Sequence, residues 1–190
     1  EEERLAEALK ANRELMRLYR EGDFAEAAKV GEIALEMRRS VLGERHQAYA
    51  TSLNNLAAMY YFMGNYERTV RLYRQALDIR KSEIGERHPD YAGILNNLAV
   101  QYAHAGDYEL AEPLYRQALE IRRSVLGEQH SDYARTLNNL AALYWDVGNC
   151  TRAVLLSRQS LKSRKSALGE QHPEYAVGLS NLARMYKGLG

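Results

Sequence analysis

Cysteine is almost missing: Cys150 is the only one in 190 residues. No internal disulfide can form, and a reducing, cytoplasmic compartment is the expected setting. Charge of one sign is missing too. The formal net charge is +1, which gives no bulk electrostatic reason to expect DNA, RNA or an anionic membrane as partner. No apolar run reaches the roughly 18 residues that a membrane-spanning helix needs, and no signal peptide is visible. The chain begins at Glu1 without a methionine, so a fragment of a longer protein is expected. Catalytic signatures are also lacking. There is no Cys/His pair, no phosphate-cradling glycine-rich loop and no paired-carboxylate motif, so no enzyme activity and no cofactor are expected within this chain.

What the chain does have is repetition. Leu53-Asn54-Asn55-Leu56-Ala57 recurs as Leu95-Asn96-Asn97-Leu98-Ala99 and as Leu137-Asn138-Asn139-Leu140-Ala141, each copy 42 residues after the last. Leu179-Ser180-Asn181-Leu182-Ala183 keeps the step. Gly22, Gly64, Gly106, Gly148 and Gly190 share one register, and Gly43, Gly85, Gly127 and Gly169 another. A fixed period in this range is the mark of a solenoid, in which each unit packs mainly on its neighbours. Hydrophobic residues make up 46% of the chain, enough to fill a continuous core.

The spacing inside each unit is helical. Leu95, Leu98, Ala99 and Tyr102 fall at i, i+3, i+4 and i+7 on one face, and Ala111, Leu114, Tyr115, Ala118 and Ile121 form the matching face of a second helix. The unit therefore reads as helix A, a tight glycine turn, helix B, and a Gly-Glu-x-His link. Gly43 ends a helix as a left-handed cap would. In Gly85-Glu86-Arg87-His88-Pro89-Asp90, proline and then an acid announce the next helix. The spacing predicts a first helix over 3–20 and a second over 24–42. Later helices A are expected over 46–63, 88–105, 130–147 and 172–188, and helices B over 66–84, 108–126 and 150–168. Tyrosine fills columns such as Tyr60, Tyr102, Tyr144 and Tyr186, whose helical spacing marks core packing.

Leu95-x-x-Leu98-Ala99-x-x-Tyr102, followed by Gly106-Asp107-Tyr108, Ala111, Tyr115 and Ala118, resembles the tetratricopeptide repeat. The 42-residue unit, with its Leu-Asn-Asn-Leu-Ala and Leu-Gly-Glu-x-His stretches, is similar to the repeat domain of kinesin light chains and their bacterial and fungal relatives. The resemblance implies an all-α fold: a right-handed α-solenoid of antiparallel helix pairs, about four and a half repeats long. The expected organisation is one array with repeats at 3–43, 46–85, 88–127 and 130–169, then an unpaired helix at 172–188. Three departures stand out. Arg13 and Glu14 occupy positions where later copies have Asn and Leu, Cys150 and Ser157 replace tyrosines, and Gly190 follows a helix A that has no helix B.

The asparagine columns are the anomaly. Asparagine is a mediocre helix former, and packing does not require two in succession. The resemblance implies that helices A line a concave groove whose polar residues hold an extended peptide. An amide offers donors and an acceptor, so Asn54, Asn96 and Asn138 are candidates for holding a peptide backbone. Asn55, Asn97, Asn139 and Asn181 either join them or tie repeats together through the adjacent helix. Neighbours on the same face add Tyr61 and Trp145 as aromatic anchors. His104 also lies on this face, and Arg135, Arg184 and Lys187 outnumber Asp146 toward the C-terminal end. An acidic segment with an aromatic or apolar anchor is the partner this pattern suits.

Two further columns have plainer readings. Arg38, Arg80, Arg122 and Arg164 fall in the last turns of helices B, where positive charge complements the helix C-terminus. A place at the groove edge is their other reading. His46, His88, His130 and His172 occur once per repeat, with helix axes on the order of 8–10 Å apart. They cannot converge to the roughly 2 Å that a zinc ion demands, so no metal site is expected. The reading that follows is a non-catalytic protein-binding module. The alternative is a regulatory or assembly segment of a larger enzyme, such as a caspase-like peptidase or a signalling ATPase.

Overall fold

The computed structural model describes residues 2–189. Among them are nine helices and no strand, an all-α helical-repeat solenoid. The helices fall into two compact units, one within Glu1–Glu86 and one within Arg87–Gly190. The first holds α1 (Glu2–Glu21), α2 (Phe24–Leu42), α3 (Gln47–Phe62) and α4 (Tyr66–Ile84). The second holds α5 (Pro89–Ala105), α6 (Tyr108–Leu126), α7 (Ser131–Asp146), α8 (Cys150–Leu168) and α9 (Pro173–Gly188).

The turns show why each helix stops where it does. Gly106 ends α5 in the left-handed region at φ 83°, ψ 4°, a conformation nearly free of cost only for glycine. Asn65 and Asn149 then cap the following helices by accepting from the Arg68 and Arg152 amides at 3.2 and 3.3 Å. At the link, each histidine has extended backbone and lies just outside its helix. His46, His88, His130 and His172 each accept at Nδ1 from the amide two residues on, at 3.0 to 3.2 Å. Helices A therefore start one residue later than the spacing predicts, because imidazole does here what serine or aspartate does elsewhere.

Small residues bring the helices close. In the second unit Ala92, Ala99, Ala111, Ala118, Ala134, Ala141 and Ala153 are all fully enclosed, while Tyr102, Tyr115 and Tyr144 fill the space beside them with at most 5% exposure. In α4 this column keeps Tyr73, but in α2 Gly31 stands in its place, and Leu15 of α1 packs against it. A Cβ on Gly31 would lie 2.8 Å from its Cδ1. Leu15 is 1% exposed, so α1 serves as a full helix A although its sequence pattern is irregular.

The arginine column corrects the sequence reading. These side chains neither trail into solvent at the helix ends nor line a groove edge; they are buried. Arg38 Nη1 donates to the Ala48 carbonyl at 2.9 Å and to Ser52 Oγ at 2.7 Å. Arg122 Nη1 donates to the Asp132 carbonyl at 3.0 Å and to Thr136 Oγ1 at 2.5 Å. Arg164 Nη1 donates to the Glu174 carbonyl at 2.7 Å. Each fastens the end of a helix B to the first turn of the next helix A. Burial pushes the Arg122 pKa down to about 10, so its guanidinium is still charged near neutrality. The base that follows each of these arginines is the exposed partner: Arg39 pairs with Glu44 at 2.7 Å, Lys81 with Glu86 at 2.5 Å, and Lys165 with Glu170.

Candidate functional site

Three consecutive helices A of the second unit, α5, α7 and α9, carry most of the candidate residues, and asparagine amides join them. Asn139 Nδ2 donates to Asn96 Oδ1 at 3.1 Å, and Asn181 Nδ2 to Asn138 Oδ1 at 3.1 Å. In the first unit Asn55 Nδ2 donates to Asn12 Oδ1 at 3.0 Å. The second asparagine of one repeat thus reaches the first asparagine of the repeat before it, so the second column does tie neighbouring repeats together. Asn12 was not singled out by the sequence pattern, although a 42-residue step back from Asn54 lands on it.

The first column divides. Asn96 is 2% exposed and its oxygen is already bonded; burial takes it off the accessible face and gives it a packing role. Asn138 is half-buried, and the bond to its oxygen leaves the two amide hydrogens for other partners. Asn54, also half-buried, donates to Asn55 Oδ1 at 3.4 Å. Asn97 is half-buried on α5, and His104 is exposed in the last turn of that helix.

Aromatic and cationic neighbours complete the face. Trp145 lies half-buried near the end of α7, with its six-membered ring against the backbone of α9. A Cβ on Gly188 would come within 2.7 Å of the Trp145 Cζ2 and Cη2 atoms, so the ring can sit there only because residue 188 is glycine. Arg135 Nη2 pairs with Asp132 Oδ1 at 2.7 Å across one turn. Arg184 and Lys187 are exposed on α9 and make no ion pair among the described residues. Asn138, Trp145, Asn181, Arg184 and Lys187 are therefore brought together, while Asn54, Asn55 and Tyr61 belong to the first unit. Tyr61 is half-buried, edge-on to Phe62 at 4.9 Å between ring centroids. Burial pushes its phenol up from the usual range. Phe62 stacks on Phe24 at 4.6 Å, with Tyr19 tilted against both.

Among the described residues no group of three or more His, Cys, Asp or Glu side chains is placed to hold a metal ion. No described helix is long and apolar enough to cross a membrane. Cys150 opens α8, half-buried and in no disulfide.

The same architecture is found elsewhere. A sequence model of the tetratricopeptide repeat matches residues 16–82 and 90–166. Among solved structures the chain is similar to BtubC (BKLC) from P. vanneervenii, with 26% identity over 100% of this chain and 84% of that one, at a TM-score of 0.79. It is also similar to a putative kinesin light chain from Podosopora anserina with nearly identical TPR-like repeats. That match has 24% identity over 94% of this chain and 84% of the other, at a TM-score of 0.79. No curated protein matches the chain. Helix pairs stepping at 42 residues, and matched segments in both units, lead to one conclusion: the chain belongs to the tetratricopeptide repeat family, in its kinesin-light-chain-like form, a scaffold for protein–protein interaction.

Proposed function

We propose that the helix-A face of the second unit captures an extended acidic segment of another protein, anchored by an aromatic or apolar side chain. The observation that carries this reading is Asn138. Its oxygen is occupied by Asn181, so its amide hydrogens are available to a peptide carbonyl, whatever that peptide's sequence. Trp145 supplies a ring beside it, and the exposed Arg184 and Lys187 favour carboxylates. An unstructured segment must be ordered as it binds, which offsets part of the contact energy, so a Kd on the order of micromolar is expected.

The test is a peptide-display selection on the wild-type chain and on Trp145→Ala and Arg184→Glu/Lys187→Glu variants of confirmed helicity. Enrichment of acidic motifs with an aromatic or apolar anchor, lost in both variants, is the expected result. Motifs that bind the variants as well as the wild type would overturn the reading.

A further inference from the structure

We propose a second contact surface on the other side of α7, where α6 and α8 flank a cleft that suits an acidic segment of a partner protein carrying an aliphatic side chain. The cleft measures about 440 Å³. Its apolar part is Leu119 of α6, Leu140 of α7, and Leu155 and Leu156 of α8. Leu155 is 60% exposed, although leucine at that depth of exposure gains nothing for the fold. Around these leucines stand Arg116, Arg123 and Arg152, with Glu120 as the acid in the wall.

The arginines are not equally engaged. Arg123 Nη2 pairs with Glu120 at 2.7 Å, and Arg116 Nε pairs with Glu112 at 2.8 Å. Arg152 lies over the Tyr144 ring at 5.4 Å from its centroid, and its Nη1 reaches the Tyr144 hydroxyl at 3.5 Å. Its charge also acts on the Glu112 carboxyl, which accepts from the same Tyr144 hydroxyl. Three arginines thus face two carboxylates, Glu112 and Glu120, and one positive charge is in excess for a carboxylate from outside.

The first unit shows what the same position looks like when it is closed electrostatically. Two repeats earlier, Glu32 stands in place of Arg116, and Arg68 in place of Arg152. Glu32 Oε1 accepts from the Tyr60 hydroxyl and lies 3.6 Å from Arg68 Nη1. Leu155 corresponds there to Arg71. In the second unit Glu112 takes over as acceptor of the tyrosine hydroxyl, Arg116 adds a third cation where Glu32 stood, and the exposed Leu155 replaces Arg71. A cationic wall beside exposed aliphatic surface is complementary to a carboxylate beside an aliphatic side chain.

The probe is a short capped peptide of alternating glutamate and leucine, titrated into the isotope-labelled full chain by NMR, with the glutamine-for-glutamate peptide as control. Shift changes centred on Arg116, Arg152, Leu155 and Leu156 are expected for the acidic peptide alone. Arg152→Glu should weaken its Kd by about tenfold or more, and so should raising the salt from about 0.05 to 0.5 M. Leu155→Asp, on an exposed position, gives a second variant whose folding is not at risk. Shift changes confined to Trp145, Arg184 and Lys187, equal response to both peptides, or no response would each overturn the proposal. The first of these would leave the helix-A reading intact.

Discussion

Helices α6 and α8 are each 19 residues long, start after the same turn and end at the same glycine link. Both bury an alanine in the second turn, Ala111 and Ala153, and an arginine near the end, Arg122 and Arg164. Between those points they differ completely. The buried face of α6 is Tyr115, Ala118 and Ile121; that of α8 is Ser157, Ser160 and Ser163. Ser160 Oγ donates to the Ala134 carbonyl at 2.7 Å, and Ser157 Oγ contacts Met185 Sδ at 3.3 Å. The backbone geometry of the repeat thus survives an exchange of its apolar face for hydroxyls. Alanine approach, caps and the arginine fastening define the helix pair, and the large side chains determine how strongly it holds.

The largest test of that contrast is truncation. Tyr115→Ala should cost about 3–5 kcal/mol, as for other large aromatic side chains removed from a core. Ser157→Ala should cost about 1 kcal/mol or less, since only one weak hydrogen bond is lost. Denaturant unfolding followed by circular dichroism measures both, and equal costs would erase the distinction between the helices. Hydrogen exchange should agree, with α8 amides opening at lower free energy than those of α6.

Next in size are the arginines. Arg122 is 1% exposed and serves two acceptors on α7, whereas Arg164 serves one on α9. Removing a charged donor orphans its acceptors at about 1–3 kcal/mol. Arg122→Ala should fall at the upper end of that range and Arg164→Ala at the lower end, in the same unfolding assay. Arg122 is also the more deeply buried of the two, so the reverse order would contradict both burial and the number of acceptors as the cause of the loss.

The smallest effect is a pH slope. Hydrogen bonds from Tyr144 and then Arg116 hold the Glu112 carboxyl below its ordinary range. A carboxyl lowered by folding contributes stability that is present above its unfolded pKa and lost as pH falls through its folded one. Val154 occupies this position in α8 and has no such term. Glu112→Gln should therefore flatten the acid limb of the stability profile, while Val154→Ala should leave its shape unchanged.

Much of this fold is legible in the sequence, for definite reasons. Helices B lie where the apolar spacing predicts them, because glycine on one side and an Asn or Asp cap on the other leave little latitude. The period locates both asparagine columns but not the direction of their bonds, which depends on side-chain orientation between helices 43 residues apart in the chain. The arginine column misleads because arginine is rarely buried unless paired, and the acceptor shared by Arg38, Arg122 and Arg164 is a backbone carbonyl, which carries no sequence signal. The cleft beside Arg152 is equally hidden. It arises from Glu32 and Arg116 holding the same place in different repeats, a substitution that acquires meaning only once Tyr60 and Tyr144 are seen beneath it.

The link glycines have a consequence for how such a chain can change length. Gly43, Gly85, Gly127 and Gly169 all adopt φ between 79° and 84° with ψ between 162° and 166°, a region that essentially only glycine occupies. Each joint therefore has the same glycine conformation, the same histidine cap beyond it and, in three of the four, the same base-to-glutamate clasp. A 42-residue cassette cut at one joint and spliced in at another meets the same backbone connection at both ends, so a change in the number of repeats asks for no new link, only for packing faces that match.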